Sequence, residues 1–494
     1  MGYLLALDEG TTSARAALYN EDAECIGIEA NPYPLHYPND GWVEVDGEVI
    51  WAAQISAARR VLDAKGVSAK EILAIGITNQ RETTLVWEAA TGRPIAPAIV
   101  WQCRRTAAFC EELALSPYKR RIEERTGLVI DAYFSASKLR WILDNVPGAR
   151  ERANAGELRF GTVDTWLIWK LTNGRLHLTD VSNASRTMLM DLEQGDWDEE
   201  LLRIFEIPKS LLPRICSSSE IYGTTAAEHL GAEIPIAGNA GDQQAALFGQ
   251  TCFQPGLVKN TYGTGCFALM HTGSRRPVSR NRLISTRAAG DRLAGQYALE
   301  GSVFVAGAAL QFLRDNFGFF SDVRFTNEAA QKVPDTGGVY FVPAFTGLGA
   351  PYWEPEARGM IYGLTRSTLR GHVIRAALES IAYQSAELVD AMRADTGEAP
   401  KELRADGGAA ASDFLLQFQA DILDIPVVRP RDIESTALGA AYLAGLGIGH
   451  FRSIDELQAF WRIERRFEPA MTASERERLL SSWRDAIGRV LRKH

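Results

Sequence analysis

The sequence predicts an α/β fold built from two related halves. Helix and strand patterns alternate along the chain, and a turn of glycine and hydroxyl residues occurs once in each half. The first turn is Asp-Glu-Gly-Thr-Thr-Ser at 8–13, and the second is Thr-Tyr-Gly-Thr-Gly at 261–265. Because 494 residues are enough for at least two hydrophobic cores, we expect an N-terminal domain at 1–250 and a C-terminal domain at 251–494.

Short apolar runs predict the strands of the first half. Asp8 ends one such run, and residues 14–19 and 25–30 continue the pattern of strand, turn and strand. Two further strands are predicted at 72–78 and 83–88. The first glycine turn therefore connects two neighbouring strands.

A helical period predicts a helix over residues 46–65. Asp46 is a suitable N-cap and Gly66 a suitable C-terminal stop. The predicted buried face consists of Val49, Ala53, Ala57 and Val61.

The same kinds of element return in the second half. A hairpin of residues 257–261 and 266–270 is predicted around the second glycine turn. Amphipathic helices are predicted at 302–316 and 370–394. A strand at 403–405 leads into a glycine-rich turn at 406–410 and a helix beginning near Ser412, and the small residues at 434–441 are typical of closely packed helices. We assign no chemistry to 434–441.

The two glycine and hydroxyl turns favour phosphate binding. Each offers backbone N–H groups and hydroxyls, which can hold phosphate oxygens from two sides. The first turn has the spacing of neither a P-loop nor a Rossmann motif. The alternative is that each is an ordinary hairpin turn, and the turn at 406–410 is equally well explained as a tight connection between a strand and a helix.

Composition excludes several classes of partner. With 53 Lys and Arg against 62 Asp and Glu, the formal net charge is -9, so no broad basic field favours nucleic acid. No apolar run approaches the length of a membrane span, and no basic segment precedes the first strand. We expect a cytoplasmic protein that binds a small molecule and does not insert into membranes.

Six longer motifs carry a family resemblance that covers nearly the whole chain. They are GITNQRETT (76–84), IVWQCRR (99–105), YFSASKLRW (133–141), GTVDTWL (161–167), AGDQQAAL (240–247) and GLGAPYW (347–353). With these motifs the chain resembles the FGGY carbohydrate kinases. The resemblance implies two ribonuclease-H-like domains, as in actin, hexokinase and the heat-shock chaperone ATPases, with a central cleft between them.

The resemblance also implies the acceptor site. It points to ATP-dependent, in-line phosphorylation of glycerol to sn-glycerol 3-phosphate, a step of glycerol catabolism. The residues implied to hold glycerol are Arg81, Glu82, Tyr133, Asp242 and Gln243, with Trp101 and Phe267 packed on its carbon atoms. Without the surrounding motif, Arg81 and Glu82 could equally be a surface ion pair.

The nucleotide site is implied in the same way. Contacts from the first half are expected from Thr11, Thr12, Ser13 and Arg15, and contacts from the second half from Thr264, Gly265, Gly307, Gln311, Gly408 and Ser412. Asp8 and Asp242 are expected to hold Mg²⁺, which uses few carboxylates and keeps several waters.

Asp242 is the predicted general base, because phosphoryl transfer needs a residue that accepts the hydroxyl proton. An alternative role is the N-cap of the helical segment at 243–249, and both roles are compatible. Two positions depart from the family pattern. Glu9 replaces a usual Gln, which adds negative charge beside the phosphate turn unless Glu9 pairs, with Arg15 as the candidate partner. Ser412 replaces a frequent Asn near adenine.

Other functions remain open from sequence. A xylulose, gluconate or other polyol kinase is possible, because fold and phosphate motifs do not select the acceptor. A non-kinase ATPase of the actin or chaperone type is a second alternative. The family resemblance further suggests a homodimer or homotetramer.

Overall fold

The structure is a computed structural model that describes residues 2–354 and 356–491. Its strands are β1 (Tyr3–Glu9), β2 (Ser13–Tyr19), β3 (Cys25–Pro32), β4 (Glu44–Val45), β5 (Ile72–Asn79), β6 (Leu85–Glu88), β7 (Ala98–Ile99), β8 (Leu158–Gly161), β9 (Leu178–Asp180), β10 (Met190–Asp191), β11 (Asp196–Trp197), β12 (Arg214–Cys216), β13 (Ser219–Thr224), β14 (Pro235–Gly241), β15 (Leu257–Tyr262), β16 (Cys266–Gly273), β17 (Ile284–Arg287), β18 (Tyr297–Val303), β19 (Tyr340–Val342), β20 (Met360–Tyr362), β21 (Glu402–Asp406), β22 (Val427–Pro430) and β23 (Ile463–Phe467).

The α-helices are α1 (Gly47–Lys65), α2 (Ala107–Ala114), α3 (Lys119–Thr126), α4 (Ser135–Asn145), α5 (Ala149–Asn154), α6 (Val163–Leu171), α7 (Val181–Ala184), α8 (Glu199–Phe205), α9 (Ala227–Leu230), α10 (Asp242–Gly249), α11 (Gly307–Asp315), α12 (Thr326–Gln331), α13 (Arg370–Thr396), α14 (Asp413–Leu423), α15 (Ser435–Gly447), α16 (Ile454–Phe460) and α17 (Ala473–Leu491). None of the helices in the described ranges is both long and apolar enough to cross a membrane.

Two large sheets repeat one arrangement of strands. Within the described residues, the first sheet has the order β13-β14-β5-β1-β2-β3 and the second β17-β18-β16-β15-β21-β22-β23. In the first, β1, β2 and β3 are antiparallel, whereas β5 and β14 run parallel to β1. In the second, β15, β16 and β18 are antiparallel, whereas β21 and β22 run parallel to β15. The prediction of two related halves is confirmed.

The first predicted helix forms with the predicted caps. The Asp46 side chain accepts a hydrogen bond from the Glu48 N–H, and Gly66 takes the left-handed conformation with φ 64°. Ala53, Ala57 and Val61 are buried as predicted. Val49 is exposed, and its neighbour Ile50 is buried instead. The prediction of the buried face is therefore wrong by one residue in the first turn of α1.

The helix predicted at 302–316 is wrong at its start. Residues 302 and 303 belong to strand β18, because residues 297–303 pair with β16. Strand β16 thus lies between β18 and its hairpin partner β15. Helix α11 begins only at Gly307. The amphipathic helix at 370–394 is confirmed as α13, and a helix does begin beside Ser412.

Helix α15 joins the two halves. It follows β22 of the second sheet in sequence, yet it packs on β1, β5 and β14 of the first sheet and on α10. Glycines make this contact possible: a Cβ at Gly76 would lie 2.0 Å from the Ala440 carbonyl oxygen, and a Cβ at Gly249 would lie 2.0 Å from that of Ser435. The small residues at 434–441 therefore allow close packing, as predicted.

Replacing Gly439 by Ala should destabilise this junction. The new Cβ would lie 1.9 Å from the Ala245 carbonyl oxygen, a backbone atom that cannot rotate away. We expect a loss of about 1–3 kcal/mol or more in the free energy of unfolding, measured by urea denaturation.

The matched control is Gly488→Ala in α17, where a Cβ meets nothing within 4 Å. Its helix propensity should stabilise the protein by up to about 1 kcal/mol. Equal stability of the two variants would contradict the packing argument.

Candidate functional site

Three parallel strands bring distant charged residues to one edge of the first sheet. Asp8 near the end of β1 pairs with Thr78 of β5, and Thr78 also pairs with Ala240 of β14. Arg81 and Glu82 follow β5, and Asp242 follows β14 directly. Because the carboxyl ends of parallel strands share one edge, these side chains meet in a place that is typical of ligand sites.

The first glycine turn is a tight connection between β1 and β2. The Gly10 N–H donates to the Ser13 carbonyl oxygen at 3.0 Å, and the Tyr33 hydroxyl donates to the Gly10 carbonyl oxygen at 2.6 Å. Thr12 is exposed at its tip, while Thr11 and Ser13 are half-buried. Tyr33 therefore fixes the buried side of the turn, and Thr12 remains accessible to a ligand.

Arg15 pairs with acids from both halves. Its Nη2 lies 2.6 Å from Asp8 Oδ2, and its Nη1 lies 2.8 Å from Glu434 Oε2. Burial raises the pKa of Asp8, and the Arg15 charge opposes that rise. The predicted pair between Glu9 and Arg15 is wrong: Glu9 is completely buried, and burial raises its pKa well above the ordinary value.

Arg81 and Glu82 do not form a surface ion pair. The Arg81 side chain is 2% exposed, with its Nη1 2.6 Å from Glu300 Oε2 and its Nε 3.0 Å from Asp242 Oδ1. Glu82 is equally buried, and its Oε1 lies 2.6 Å from Arg186 Nε. The surface alternative is therefore excluded.

Asp242 is the first residue of α10, and Gly241 occupies the N-cap position. The predicted N-cap role is thus displaced by one residue, although Asp242 Oδ1 does accept a hydrogen bond from the Gln243 N–H at 2.7 Å. Its side chain is 31% exposed, unlike that of Arg81. Asp242 is therefore a carboxylate fixed on one side and open on the other, which suits a group that accepts a proton from a ligand.

Aromatic residues form a wall beside this edge. The rings of Trp101 and Tyr133 meet edge to face with their centroids 5.5 Å apart. Trp101 Nε1 also donates to Thr11 Oγ1 at 3.0 Å. The wall is thereby fixed to the first glycine turn. Phe267 lies half-buried on β16, opposite Ser302 of β18.

Gln243 is oriented by a buried lysine from the second half. The Lys259 ammonium donates to Gln243 Oε1 and, at 2.8 Å, to Thr261 Oγ1. Burial lowers the pKa of Lys259. Because an ammonium only donates hydrogen bonds, the amide oxygen of Gln243 is occupied and its NH₂ group is left to donate to a ligand.

The second glycine turn packs against the start of α11. The Ala306 and Ala308 N–H groups donate to the Thr264 carbonyl oxygen at 2.8 and 3.1 Å. A Cβ at Gly307 would lie 2.7 Å from the Gly263 carbonyl oxygen, and one at Gly265 would lie 2.4 Å from that of Val303. Thr264, Gly265 and Gly307 therefore form one cluster, and Gln311 is exposed about one helical turn further along α11.

The turn after β21 lies beside this cluster, because β21 is the parallel neighbour of β15 and Thr261 pairs with Asp406. Gly408 is exposed in this turn. Ser412 ends it as the N-cap of α14: its hydroxyl accepts from the Leu415 N–H at 3.0 Å and donates to Asn327 Oδ1. The second sheet thus presents the ends of two parallel strands, as the first sheet does.

Asp8 and Asp242 are the two carboxylates that the sequence analysis predicted for a cation. In the described ranges, no group of three His, Cys, Asp or Glu side chains could hold a metal ion. The charge of Asp242 nevertheless raises the pKa of Asp8, so the two acids lie within electrostatic reach. Two carboxylates completed by water suit Mg²⁺.

Sequence reasoning missed Arg186, Lys259, Glu300 and Asn327. Glu300 and Lys259 did carry a signal, because each is the single charged residue of its strand, β18 and β15. A lone charge in a buried strand requires a partner. Arg186 and Asn327 carried no comparable signal, since neither lies in a buried strand.

Comparison with known proteins supplies a family. The N-terminal domain model of the FGGY family of carbohydrate kinases matches residues 3–249, and the C-terminal domain model matches residues 258–448. Glycerol kinase 2 of Thermotoga maritima is 55% identical over 491 residues, which cover 99% of each chain. Glycerol kinase of Symbiobacterium thermophilum is 58% identical over 491 residues, which cover 99% of this chain and 98% of the relative.

Solved structures agree with the fold. Plasmodium falciparum glycerol kinase with ADP superposes with a TM-score of 0.94 and 36% identity, covering 100% of this chain and 99% of that chain. Xylulose kinase from Lactobacillus acidophilus has a TM-score of 0.88 at 22% identity, covering 99% of each chain, which shows the fold alone. The predicted fold class of two ribonuclease-H-like α/β domains is confirmed.

Proposed function

The chain belongs to the FGGY family of carbohydrate kinases, and we propose that it transfers the γ-phosphate of ATP to glycerol, giving sn-glycerol 3-phosphate. The observation that carries this proposal is the half-exposed Asp242 held by Arg81 at the strand ends, beside Trp101 and Tyr133. The relatives that are named glycerol kinase over nearly the full chain support the choice of acceptor.

The acceptor pocket suits a short triol. Glycerol offers hydroxyl groups and a small apolar edge, so a selective site needs donors, acceptors and an aromatic wall. Arg81 and the Gln243 amide supply donors, whereas Glu82 and Asp242 supply acceptors. The aromatic residues Trp101, Tyr133 and Phe267 are proposed to pack on the carbon atoms.

Asp242 is proposed to accept the proton of the attacking hydroxyl. Its carboxylate is fixed by Arg81 Nε and by the Gln243 N–H, so its position is set before substrate binds. In-line phosphoryl transfer depends mainly on such alignment and on charge neutralisation. Asp8 and Asp242 would hold Mg²⁺, which when bound neutralises phosphate charge.

The nucleotide is proposed to lie between the two glycine turns. Contacts from the first half would come from Thr11, Thr12, Ser13 and Arg15, and contacts from the second from Thr264, Gly265, Gly307, Gln311, Gly408 and Ser412. The exposed positions of Thr12, Thr264, Gln311 and Gly408 support this arrangement. The Asn327 amide accepts a hydrogen bond from Ser412, the position at which the family pattern frequently has Asn, and we propose that Asn327 supplies the adenine contact instead.

The proposal also includes the domain boundaries, the location, the assembly and the metabolic role of the protein. The domains are taken as 1–250 and 251–494, the protein as cytoplasmic, and the assembly as a homodimer or homotetramer. Its role would be glycerol catabolism. Another polyol acceptor such as xylulose or gluconate is the second candidate, because the fold is shared with kinases of those sugars.

An acceptor panel tests the proposed reaction. We expect ADP release from MgATP to depend on glycerol and to be much slower with dihydroxyacetone, xylulose, ribulose or gluconate. Preference for another polyol would overturn the acceptor assignment. ADP release that is independent of any acceptor would favour the ATPase alternative.

Replacing Asp242 by Asn should remove the proton acceptor while preserving the fold. We expect kcat to fall by about 10²- to 10⁴-fold, with binding of ATP, measured by calorimetry, nearly unchanged. The matched control is Glu199→Gln, an exposed acid at the first position of α8 whose partner is Lys209. Near-normal turnover of Asp242→Asn would refute the assignment.

A further inference from the structure

A single buried carboxylate of the second half lies between two arginines of the first. Glu300 is near the middle of β18 and completely buried. Its Oε2 lies 2.6 Å from Arg81 Nη1, and its Oε1 lies 3.1 Å from Arg81 Nη2 and 3.0 Å from Arg186 Nη2. Glu300 thus binds Arg81 through two parallel hydrogen bonds, the geometry that fixes a guanidinium plane most firmly.

Both arginines extend to carboxylates of the acceptor site. Arg81 Nε lies 3.0 Å from Asp242 Oδ1, and Arg186 Nε lies 2.6 Å from Glu82 Oε1. Because a guanidinium is rigid and planar, fixing its Nη atoms also fixes the direction of its Nε–H. Glu300 therefore determines where Arg81 and Arg186 hold Asp242 and Glu82.

The charges in this group favour an ionised Glu300. Burial alone would raise its pKa, but the charges of Arg186 and Arg81 outweigh burial and hold the pKa at about 2. The carboxylate is therefore negative at any pH at which the enzyme would work. A glutamine at position 300 would have nearly the same shape as Glu300. It would lack the negative charge that compensates the buried positive charges of Arg81 and Arg186.

We propose that Glu300 is a positioning residue for the acceptor site, through which the second half orients the glycerol-binding and proton-accepting groups of the first. This role rests on the proposed function. Glu300 is buried beneath these groups, so it acts through the two arginines, and its loss should weaken acceptor binding and transfer more than nucleotide binding.

The test compares Glu300→Gln, Glu300→Asp and the wild-type chain. Steady-state assays give KM for the acceptor, KM for MgATP and kcat, and a separate assay gives ADP release without acceptor. The acceptor used is the one that the wild-type chain prefers in the panel. The matched control is Glu379→Gln, which removes a buried carboxylate of α13 whose Oε1 lies 2.8 Å from Arg375 Nε, outside the acceptor site.

We expect Glu300→Gln to raise the acceptor KM by about tenfold or more and to lower kcat, because the NH₂ group that replaces one carboxylate oxygen cannot accept from an arginine and the remaining oxygen is no longer charged. KM for MgATP and acceptor-independent ADP release should stay within about twofold of wild type, since the proposed nucleotide contacts lie on the two glycine turns and Asp242 keeps its hydrogen bond from the Gln243 N–H. Glu300→Asp keeps the charge, so its acceptor KM and kcat should lie between those of Glu300→Gln and of wild type.

The control separates positioning from general destabilisation. Glu379→Gln should lower the thermal midpoint without changing the ratio of the two KM values. The proposal is overturned if Glu300→Gln leaves the acceptor KM at the wild-type value, or if it weakens acceptor and nucleotide to the same extent. If Glu300→Gln does not fold, the acceptor KM and the MgATP KM of Glu300→Asp are compared with those of wild type in the same way.

The role of Glu300 and the choice of glycerol as acceptor can fail independently. If the panel selects another polyol, glycerol is wrong, and the comparison of variants with that polyol still decides the role of Glu300. If no acceptor stimulates ADP release, both the proposed function and the positioning role are overturned.

Discussion

The close contact of α15 with the first sheet and α10 is the constraint on which the rest of the structure depends. At Gly76, Gly249 and Gly439 a single Cβ would overlap a backbone carbonyl oxygen of the opposing element. Backbone atoms cannot rotate away as side chains do, so the distance between these elements is fixed. That distance determines whether charged residues of the two halves can reach each other.

Given that contact, the parallel strands decide which residues meet. Each half places the carboxyl ends of its parallel strands at one edge: β1, β5 and β14 carry the acids and arginines, and β15 and β21 carry the glycine turns. The charges between the edges are buried in pairs. Arg81 and Arg186 of the first half both meet Glu300 of the second, so the cost of removing these charges from water is offset by pairs that neither half possesses alone.

The sequence was sufficient for most of the fold and for part of the site. The caps of α1 and the hairpin of β15 and β16 were predicted because local patterns determine them. The start of α11 was not, because residues 302 and 303 have a pattern compatible with a helix, and only pairing with the distant β16 makes them a strand. The Glu9 and Arg15 pair failed for the same reason: nearness in sequence suggested it, but Asp8 and the remote Glu434 occupy the guanidinium.

Two of the residues that sequence reasoning missed share one property, which bears on the organisation of the site. Lys259 and Glu300 lie on the second sheet, yet each contacts a residue of the first half, Gln243 and Arg81 respectively. Each is fully buried and does not face the open side of the site, where Asp242 remains half-exposed. The groups proposed to touch the acceptor thus come largely from the first half, whereas charges of the second half orient two of them. A change in the docking of the halves must therefore alter Gln243 and Arg81 together, so the acceptor site is correctly arranged only when the second half is in place.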